Sequence, residues 1–193
     1  MRFGRGAGAP VDWLVVGLGN PGARYAGTRH NIGFEVAGAL ATRWELPRAK
    51  PRFGGLLSDG RSGPGAARVA VLLPQTYMNE AGRSVGPARG AYRLELERVL
   101  VLHDEIDLPF GDVRTRLGGG LAGHNGLKSL KAELGGPGFA RVRIGVGRPA
   151  ATDPETVSAH VLGRFAERDD DVADLIARAA AAAEAIVLGE REL

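Results

Sequence analysis

The chain has 193 residues, of which 44% are hydrophobic and 24% charged, the composition of one ordinary globular domain with a sizeable core. It contains no cysteine, which excludes disulfides, thiolate catalysis and cysteine-based zinc sites, and its 4 histidines show no HExxH or HxH spacing. The net charge of +3 is modest, but arginines cluster with glycines in the second half, a pattern typical of proteins that bind a few phosphates.

The start of the sequence, MRFGRGAGAPVD, is basic and lacks the apolar segment of a secretory signal. No apolar run approaches the roughly 20 residues that cross a bilayer. We therefore expect a flexible leader over residues 1–11, one domain over residues 12–193, a cytoplasmic location and no association with membranes.

Apolar periodicity and turn-forming residues predict strands that alternate with helices. In chain order, the predicted elements are the strand Trp13–Gly17, the helix Arg29–Trp44, the strands Phe53–Leu57 and Val69–Leu73, the helix Tyr77–Tyr92, the strands Val99–His103 and Val113–Leu117, the helix Leu127–Leu134, the strand Val142–Val146, and the helices Pro154–Leu162 and Val172–Val187. This order predicts an α/β domain with a central mixed, twisted sheet and helices on both faces.

The segment GLGNPGARYAGTRHN, residues 17–31, joins the first predicted strand to a helix. It brings His30 close to the carboxyl end of that strand, where open α/β sheets bind ligands. We expect His30 in the first turn of its helix, with Thr28 as the N-cap. The positive end of the helix disfavours an imidazolium, and a neutral imidazole is what a general base requires.

In VLHDEIDLPFG, residues 101–111, an apolar strand leads directly into three carboxylates. Asp104 could accept a hydrogen bond from His30 and fix its tautomer. Alternatively, Asp104, Glu105 and Asp107 could hold Mg²⁺. We favour the pairing of His30 with Asp104 and expect His103 to point to the other face of the sheet.

Two further loops carry amides. PQTYMNEAG, residues 74–82, places Met78 and Asn79 just after a strand. GGGLAGHNGLKSL, residues 118–130, exposes backbone N–H groups at a helix that begins near Gly126, which predicts an anion site. There Asn125 could donate to a substrate carbonyl, and Lys128 could add positive charge.

Four arginines lie on or directly beside the last two predicted strands. Arg114 and Arg116 share one strand face, and Arg141 and Arg143 share another. Two such pairs could clamp a terminal phosphate. Each arginine taken alone is better explained as a solvated surface residue.

Five segments resemble bacterial peptidyl-tRNA hydrolases, in the same order and with compatible spacings from about Val11 to near the C-terminus: GLGNPGARYAGTRHN, PQTYMNEAG, HDEIDLPFG, GGGLAGHNGLKS and RVRIGVGRP. The resemblance implies an enzyme that hydrolyses the ester between a peptide and the 3′ ribose oxygen of tRNA, without a metal or another cofactor. It implies peptidyl-tRNA as the partner, held at its acceptor stem, 3′ CCA end and 5′-phosphate. Because no strongly apolar exposed stripe is evident, we expect a monomer.

By position, the resemblance implies that His30 is the catalytic base and Asp104 its orienting partner. It also implies substrate-binding roles for Asn20, Asn79 and Asn125 as amides that hold the peptide and acceptor end, Tyr25 near the tRNA terminus, Met78 and His124 beside the site, and Arg116 and Arg143 at the 5′-phosphate. Asp153–Phe165 resembles a mobile lid helix. Leu121 departs from the family pattern, where the position is usually small or polar.

Two other functions stay open. GLGNPG matches the GxGxxG dinucleotide fingerprint, but Pro21 sits where the helix should start and Glu35 falls inside the helix rather than at a strand end. A catalytically silent RNA-binding relative is the other alternative. Because cysteine is absent and we expect no serine in a GxSxG elbow, direct attack by water is the favoured chemistry.

Overall fold

Strands and helices alternate along residues 9–193, the part of the chain that the computed structural model describes. The predicted leader falls mostly on residues 1–8, which lie outside the described residues, whereas Val11 is buried in the core. The elements are β1 (Trp13–Gly17), α1 (Ile32–Arg43), β2 (Lys50–Arg52), β3 (Gly55–Arg61), β4 (Arg68–Pro74), α2 (Gly82–Tyr92), β5 (Val99–Glu105), β6 (Val113–Leu117), α3 (Asn125–Leu134), β7 (Ala140–Gly145), α4 (Pro154–Leu162) and α5 (Asp169–Val187).

The strands form one sheet in the order β2-β3-β4-β1-β5-β7-β6. β1 pairs in parallel with both β4 and β5, and β5 pairs in parallel with β7. The pairs β2–β3, β3–β4 and β6–β7 are antiparallel and lie toward the two edges. The predicted mixed sheet is therefore confirmed.

Helices cover both faces of this sheet, as predicted. One buried cluster contains Val36 of α1 and Leu175 of α5, and a second contains Val85 of α2 and Leu127 of α3. β5 lies between the two clusters, and all of its residues are buried. No helix in residues 9–193 combines the length and apolar character needed to span a bilayer.

The predicted strand Phe53–Leu57 begins too early. Phe53 and Gly54 instead form the turn between β2 and β3, with φ values of 54° and 65°. Two central residues at positive φ are typical of the two-residue turn that matches the twist of a hairpin. The short edge strand β2 was not predicted because Lys50–Arg52 carries no apolar run.

Two predicted helices begin later than expected. A 3-10 turn at Arg29–Asn31 precedes α1, and another at Met78–Glu80 precedes α2. Both turns follow parallel strands of the sheet, β1 and β4, so each lies between a strand end and a helix. His30 and Met78 therefore lie in short turns rather than within α-helices.

The neighbouring strands β1 and β5 mark the point where the chain changes direction across the sheet. The connection that leaves β1 leads toward β2, β3 and β4, whereas the connection that leaves β5 leads toward β6 and β7 on the other side. In open α/β sheets, ligands bind outside the carboxyl ends of strands at such a point. The turn with His30 and the end of β5 with Asp104 both lie there.

Gly33 allows the first turn of α1 to lie directly on this strand end. A Cβ atom at Gly33 would collide with the backbone oxygens of Leu18 and Leu102, whereas Gly38, in the same helix, has open space.

We expect Gly33→Ala to lower the free energy of unfolding by about 2 kcal/mol or more, because the backbone atoms that it meets cannot move aside as a side chain does. Gly38→Ala should raise it by about 0.5–1 kcal/mol. Urea unfolding checks both, and a Gly33→Ala protein as stable as the parent would contradict the close packing.

Candidate active site

Asp104 is a buried carboxylate that two imidazoles share. Its Oδ1 and Oδ2 lie 2.9 and 2.8 Å from His30 Nδ1, and Oδ1 lies 2.8 Å from His124 Nε2. Burial alone would raise the pKa of Asp104, but the nearby charges and hydrogen bonds of His30 and His124 outweigh it and hold the pKa well below its ordinary value. The carboxylate is therefore ionised and accepts a hydrogen bond from each ring.

His30 has a defined tautomer because Asp104 can only accept. Nδ1 carries the proton that it donates to Asp104, which leaves the Nε2 lone pair free when the ring is neutral. Burial lowers the pKa of His30, but the charge and hydrogen bond of Asp104 outweigh burial and raise it above the ordinary value of 6.5. We expected the positive end of a helix to disfavour the charged form of His30. That expectation is wrong, because the Asp104 carboxylate favours the charged form and raises the pKa.

Thr28 lies at the expected N-cap position of the turn that contains His30, Arg29–Asn31, but its side chain does not cap that turn. The Thr28 hydroxyl donates to the Tyr25 carbonyl oxygen at 2.8 Å and makes no side-chain cap bond to the turn that follows. Another residue, Asn31, supports this turn and was not singled out from the sequence. Its Oδ1 accepts from Asn20 N at 2.8 Å and its Nδ2 donates to Asn20 O at 2.9 Å. The feature of the sequence that could have indicated this role is the position of Asn31 directly after His30 in the TRHN segment.

Asn20 is fixed through its own side chain as well. Its Oδ1 accepts a hydrogen bond from Met78 N at 2.7 Å. With Oδ1 engaged in this way, the Nδ2 group is the part of the Asn20 amide that can donate to a ligand. The 3-10 turns before α1 and α2 are therefore joined through one buried asparagine.

His124 caps α3 and contacts Asp104 at the same time. Its Nδ1 accepts from Gly126 N at 3.1 Å and from Leu127 N at 3.4 Å, so its proton lies on Nε2 and is donated to Asp104. The predicted anion site at this helix start is wrong, because the imidazole occupies these N–H groups. The capping role was not predicted, since histidine is not among the usual N-cap residues.

His103 packs behind this group. Its ring lies 5.2 Å from that of His124, and its Nδ1 lies 2.8 Å from the Asp104 carbonyl oxygen. Burial, followed by the charge of His124, lowers the pKa of His103 to about 3. The ring is therefore neutral and adds no charge beside Asp104. By the alternation of β5, His103 shares the face of Val99 and Val101, which pack with α2 and α3, whereas Asp104 shares the face of Leu100 and Leu102. His103 therefore points to the other face of the sheet, as expected.

Asp104 and its two imidazole partners, His30 and His124, have the spacing of a metal cluster, since their potential ligand atoms lie within 4.8 Å of one another. The proton positions argue against that use. His124 could bind a metal through Nε2 only if its proton moved to Nδ1, which faces two backbone N–H donors. The group is better described as a hydrogen-bonded network.

The Mg²⁺ alternative also fails, because its three carboxylates have different partners. Asp104 accepts from the two imidazoles, Glu105 pairs with Arg143, and Asp107 pairs with Arg148. They do not form a ligand cluster in the described part of the chain.

A cleft of about 700 Å³ opens beside His30 and Asp104. Seven of the predicted site residues line it: Asn20, His30, Met78, Asn79, Asp104, His124 and Asn125. Side chains of α4, including Val157, Val161 and Leu162, form part of its wall, as a lid would. Ile106, Tyr77 and Arg148 also line the cleft and were not singled out, because nothing in their local sequence indicates where the loops meet. Lys128 lines it too, as the added charge suggested.

Tyr25, Arg116 and Arg143 are the predicted site residues that do not line the cleft. Tyr25 is half-buried in a 3-10 turn, with the Arg24 guanidinium 5.5 Å from its ring. Arg143 reaches the cleft indirectly, because its Nε donates to Oε2 of the lining residue Glu105 at 3.1 Å.

The four arginines of β6 and β7 form one group. The register pairs Arg114 with Arg143 and Arg116 with Arg141, and directly opposed residues lie on the same face of a sheet. Arg141 is buried and donates to the carbonyl oxygens of Gly118 and Gly120, so it holds the glycine loop and is unavailable as a clamp. Burial, followed by the charges of Arg143 and Arg116, lowers the pKa of Arg141. Arg116, opposite Arg141 in the register, and Arg143, two residues along β7, therefore both neighbour Arg141.

A GxSxG spacing in the chain was not recognised from the sequence. Residues 82–86 read GRSVG and have GxSxG spacing. Ser84, however, lies inside α2, is fully buried and does not line the cleft. A nucleophile elbow needs an exposed serine on a strand-to-helix turn, so this serine is not a nucleophile.

Comparison with known proteins gives a consistent result. A family model described as peptidyl-tRNA hydrolase matches residues 14–192. The peptidyl-tRNA hydrolase of Halalkalibacterium halodurans is 47% identical over 173 residues, which covers 89% of this chain and 91% of that protein. That of Geobacter sp. strain M21 is 48% identical over 158 residues, covering 82% and 81%. The crystal structure of the Acinetobacter baumannii peptidyl-tRNA hydrolase superimposes with a TM-score of 0.80 at 39% identity, covering 93% of this chain and 89% of that one.

The raised pKa of His30 should depend on Asp104. We expect the ring of His30 to titrate above pH 6.5 in the parent protein and below it in Asp104→Asn, where burial acts without the carboxylate charge. NMR titration of the ring protons measures both. Asp107→Asn is the matched control, since its partner is Arg148 and it should leave the His30 titration unchanged. An unchanged titration in Asp104→Asn would contradict the assigned cause.

Proposed function

The chain belongs to the peptidyl-tRNA hydrolase family, and we propose that it uses His30, oriented by Asp104, to hydrolyse the ester between a peptide and the 3′ ribose oxygen of tRNA. The reaction releases the peptide and free tRNA. The observation that carries the assignment is the contact of His30 Nδ1 with Asp104, which leaves Nε2 at a cleft of about 700 Å³. From the substrate we infer a cytoplasmic site of action.

In the proposed reaction, water is the nucleophile and His30 Nε2 is the base. Nε2 takes a proton as the water oxygen attacks the ester carbonyl, and Asp104 stabilises the imidazolium that forms. The tetrahedral intermediate then collapses, the bond to the 3′ oxygen breaks, and the imidazolium returns its proton to that oxygen. General-base assistance of this kind contributes about 10²–10⁴-fold to the rate.

The asparagines of the cleft are suited to stabilise the oxyanion and hold the peptide. Asn20, Asn79 and Asn125 line the cleft, and the Oδ1 of Asn20 is already engaged by Met78 N. Each well-aimed donor contributes about 10²–10³-fold. A site lined with amides also favours peptidyl-tRNA over free aminoacyl-tRNA, which lacks the peptide amide and would leave these groups unpaired.

Further roles are proposed for residues around the cleft. Arg116 and Arg143 contact the 5′-phosphate, and Tyr25 lies near the tRNA terminus. Met78 lines the site, and His124 steadies Asp104 while it caps α3. α4 acts as a lid.

The proposed monomer is consistent with the surface. In residues 9–193, the exposed large apolar side chains are scattered in sequence, and two of them, Tyr77 and Leu162, line the cleft. The alternative of a silent RNA-binding relative is disfavoured because a pure binder has no need of a histidine with a fixed tautomer.

Removal of the base should sharply reduce turnover but spare binding. We expect His30→Ala to lower kcat by about 10²–10⁴-fold, with little change in affinity for tRNA. The assay follows release of the acyl group from N-acetyl-aminoacyl-tRNA in EDTA, and Glu97→Ala, at an exposed position, is the control. Near-native kcat in His30→Ala would contradict the base assignment. Loss of parent activity in EDTA would contradict the metal-free reaction.

The arginine contacts predict a split between long and short substrates. We expect Arg116→Ala combined with Arg143→Ala to raise KM for full-length tRNA by about tenfold or more, since charge-assisted bonds to phosphate are lost. A short ester mimic should be barely affected. Arg114→Ala is the control, because Arg114 lies on the same face of the sheet but pairs with Asp112. This variant should change KM much less. An equal rise in KM for both substrates would contradict the proposed contact of these arginines with the phosphate.

A further inference from the structure

Glu105 is a buried carboxylate that the proposed reaction does not use. It follows Asp104 at the end of β5, is only 3% exposed and lines the cleft. A buried charge is costly unless it is paired and hydrogen-bonded. Its Oε1 accepts from Asp107 N at 3.2 Å, and its Oε2 accepts from Arg143 Nε at 3.1 Å. Its charged partner is therefore one of the two arginines assigned to the 5′-phosphate.

The contact leaves part of the Arg143 guanidinium available. Only Nε is engaged by Glu105, and the side chain is 21% exposed. A guanidinium held at Nε presents its two Nη groups along the outer edge, and this edge can bind two phosphate oxygens. Lysine has three donors on one nitrogen and presents no such planar edge of two nitrogens.

Charge supports the same arrangement. Arg116, Arg141 and Arg143 lie together, and Glu105 is close enough to oppose their effect on the pKa of Arg141. The Glu105 carboxylate pairs with one of these three guanidinium groups, which leaves an excess of positive charge. An anion from the substrate would complete the balance.

We propose that Glu105 is a positioning residue that holds Arg143 so that its outer edge faces the 5′-phosphate of the tRNA. This inference rests on the proposed contact between Arg143 and that phosphate. The alternative is that Glu105 only neutralises the charge of Arg143. In that case Glu105 weakens phosphate binding, and its removal strengthens phosphate binding.

The test is the ratio of kcat/KM for N-acetyl-aminoacyl-tRNA with a 5′-phosphate to that for the same tRNA with a 5′-hydroxyl. We expect the parent protein to prefer the phosphate by about tenfold, the effect of a charge-assisted pair. Glu105→Ala should reduce this ratio to less than about twofold, because Arg143 is no longer held. Glu105→Gln should keep most of it, since the amide oxygen still accepts from Nε. Glu35→Ala, which removes an exposed carboxylate of α1, is the charge-matched control.

The ratio compares two substrates on one preparation, so partial unfolding affects both equally. A ratio in Glu105→Ala that stays at or above that of the parent would overturn the positioning role. So would equal changes in Glu105→Ala and Glu105→Gln, which would indicate charge alone. If Glu105→Ala does not fold, Arg143→Lys replaces it and should also lose the preference, and retention would overturn the inference.

Arg143→Ala distinguishes a failure of the proposed contact between Arg143 and the phosphate from a failure of the positioning role of Glu105. If it keeps the phosphate preference, the proposed contact of Arg143 is itself wrong. If it loses the preference while Glu105→Ala keeps it, only the role of Glu105 is wrong.

Discussion

The contact of one buried carboxylate with two imidazoles organises this site. Asp104 is only 2% exposed, and its charge is stabilised by N–H donors from two segments, His30 from the loop after β1 and His124 from the start of α3. Because an ionised carboxylate only accepts, both tautomers are set by this one group. A single residue thus joins three segments that are distant in sequence and orients the proposed base.

The same pair connects stability with activity. The pKa of Asp104 is depressed in the folded state, so its stabilisation is present above the ordinary carboxyl value of 3.8 and is lost as the pH falls through the folded pKa. The pKa of His30 is raised, so its stabilisation is full below 6.5 and is lost as the pH rises through the folded pKa. Yet a general base must be neutral. The proposed reaction therefore runs fastest at a pH where the contribution of His30 to stability is lost and that of Asp104 is still present.

Much of the fold and of the site could be predicted from the sequence because the signals are local. The buried strands β1 and β5 are continuous apolar runs, and the residues that follow them must meet at one edge of a parallel sheet. That reasoning brings His30 and Asp104 together. The direction of the His30 pKa shift could not be predicted, since it depends on the balance between burial and a carboxylate 2.8 Å away.

Other features depend on contacts between distant segments. Nothing local to His124 indicates that its Nδ1 caps α3 while its Nε2 reaches Asp104. Arg141 and Arg143 look alike in the alternating pattern of β7, yet one is buried against a glycine loop and the other pairs with Glu105. The hairpin turn at Phe53 and Gly54 was obscured because an aromatic residue beside a strand usually belongs to it.

The most direct test of the shared carboxylate is the protonation of the individual ring nitrogens in the parent protein. Nitrogen-15 NMR of histidine-labelled protein, recorded where His30 is neutral, distinguishes Nδ1–H from Nε2–H. The account predicts opposite tautomers, Nδ1–H for His30 and Nε2–H for His124. Finding the proton of His30 on Nε2 would remove the free lone pair at the cleft and contradict the account.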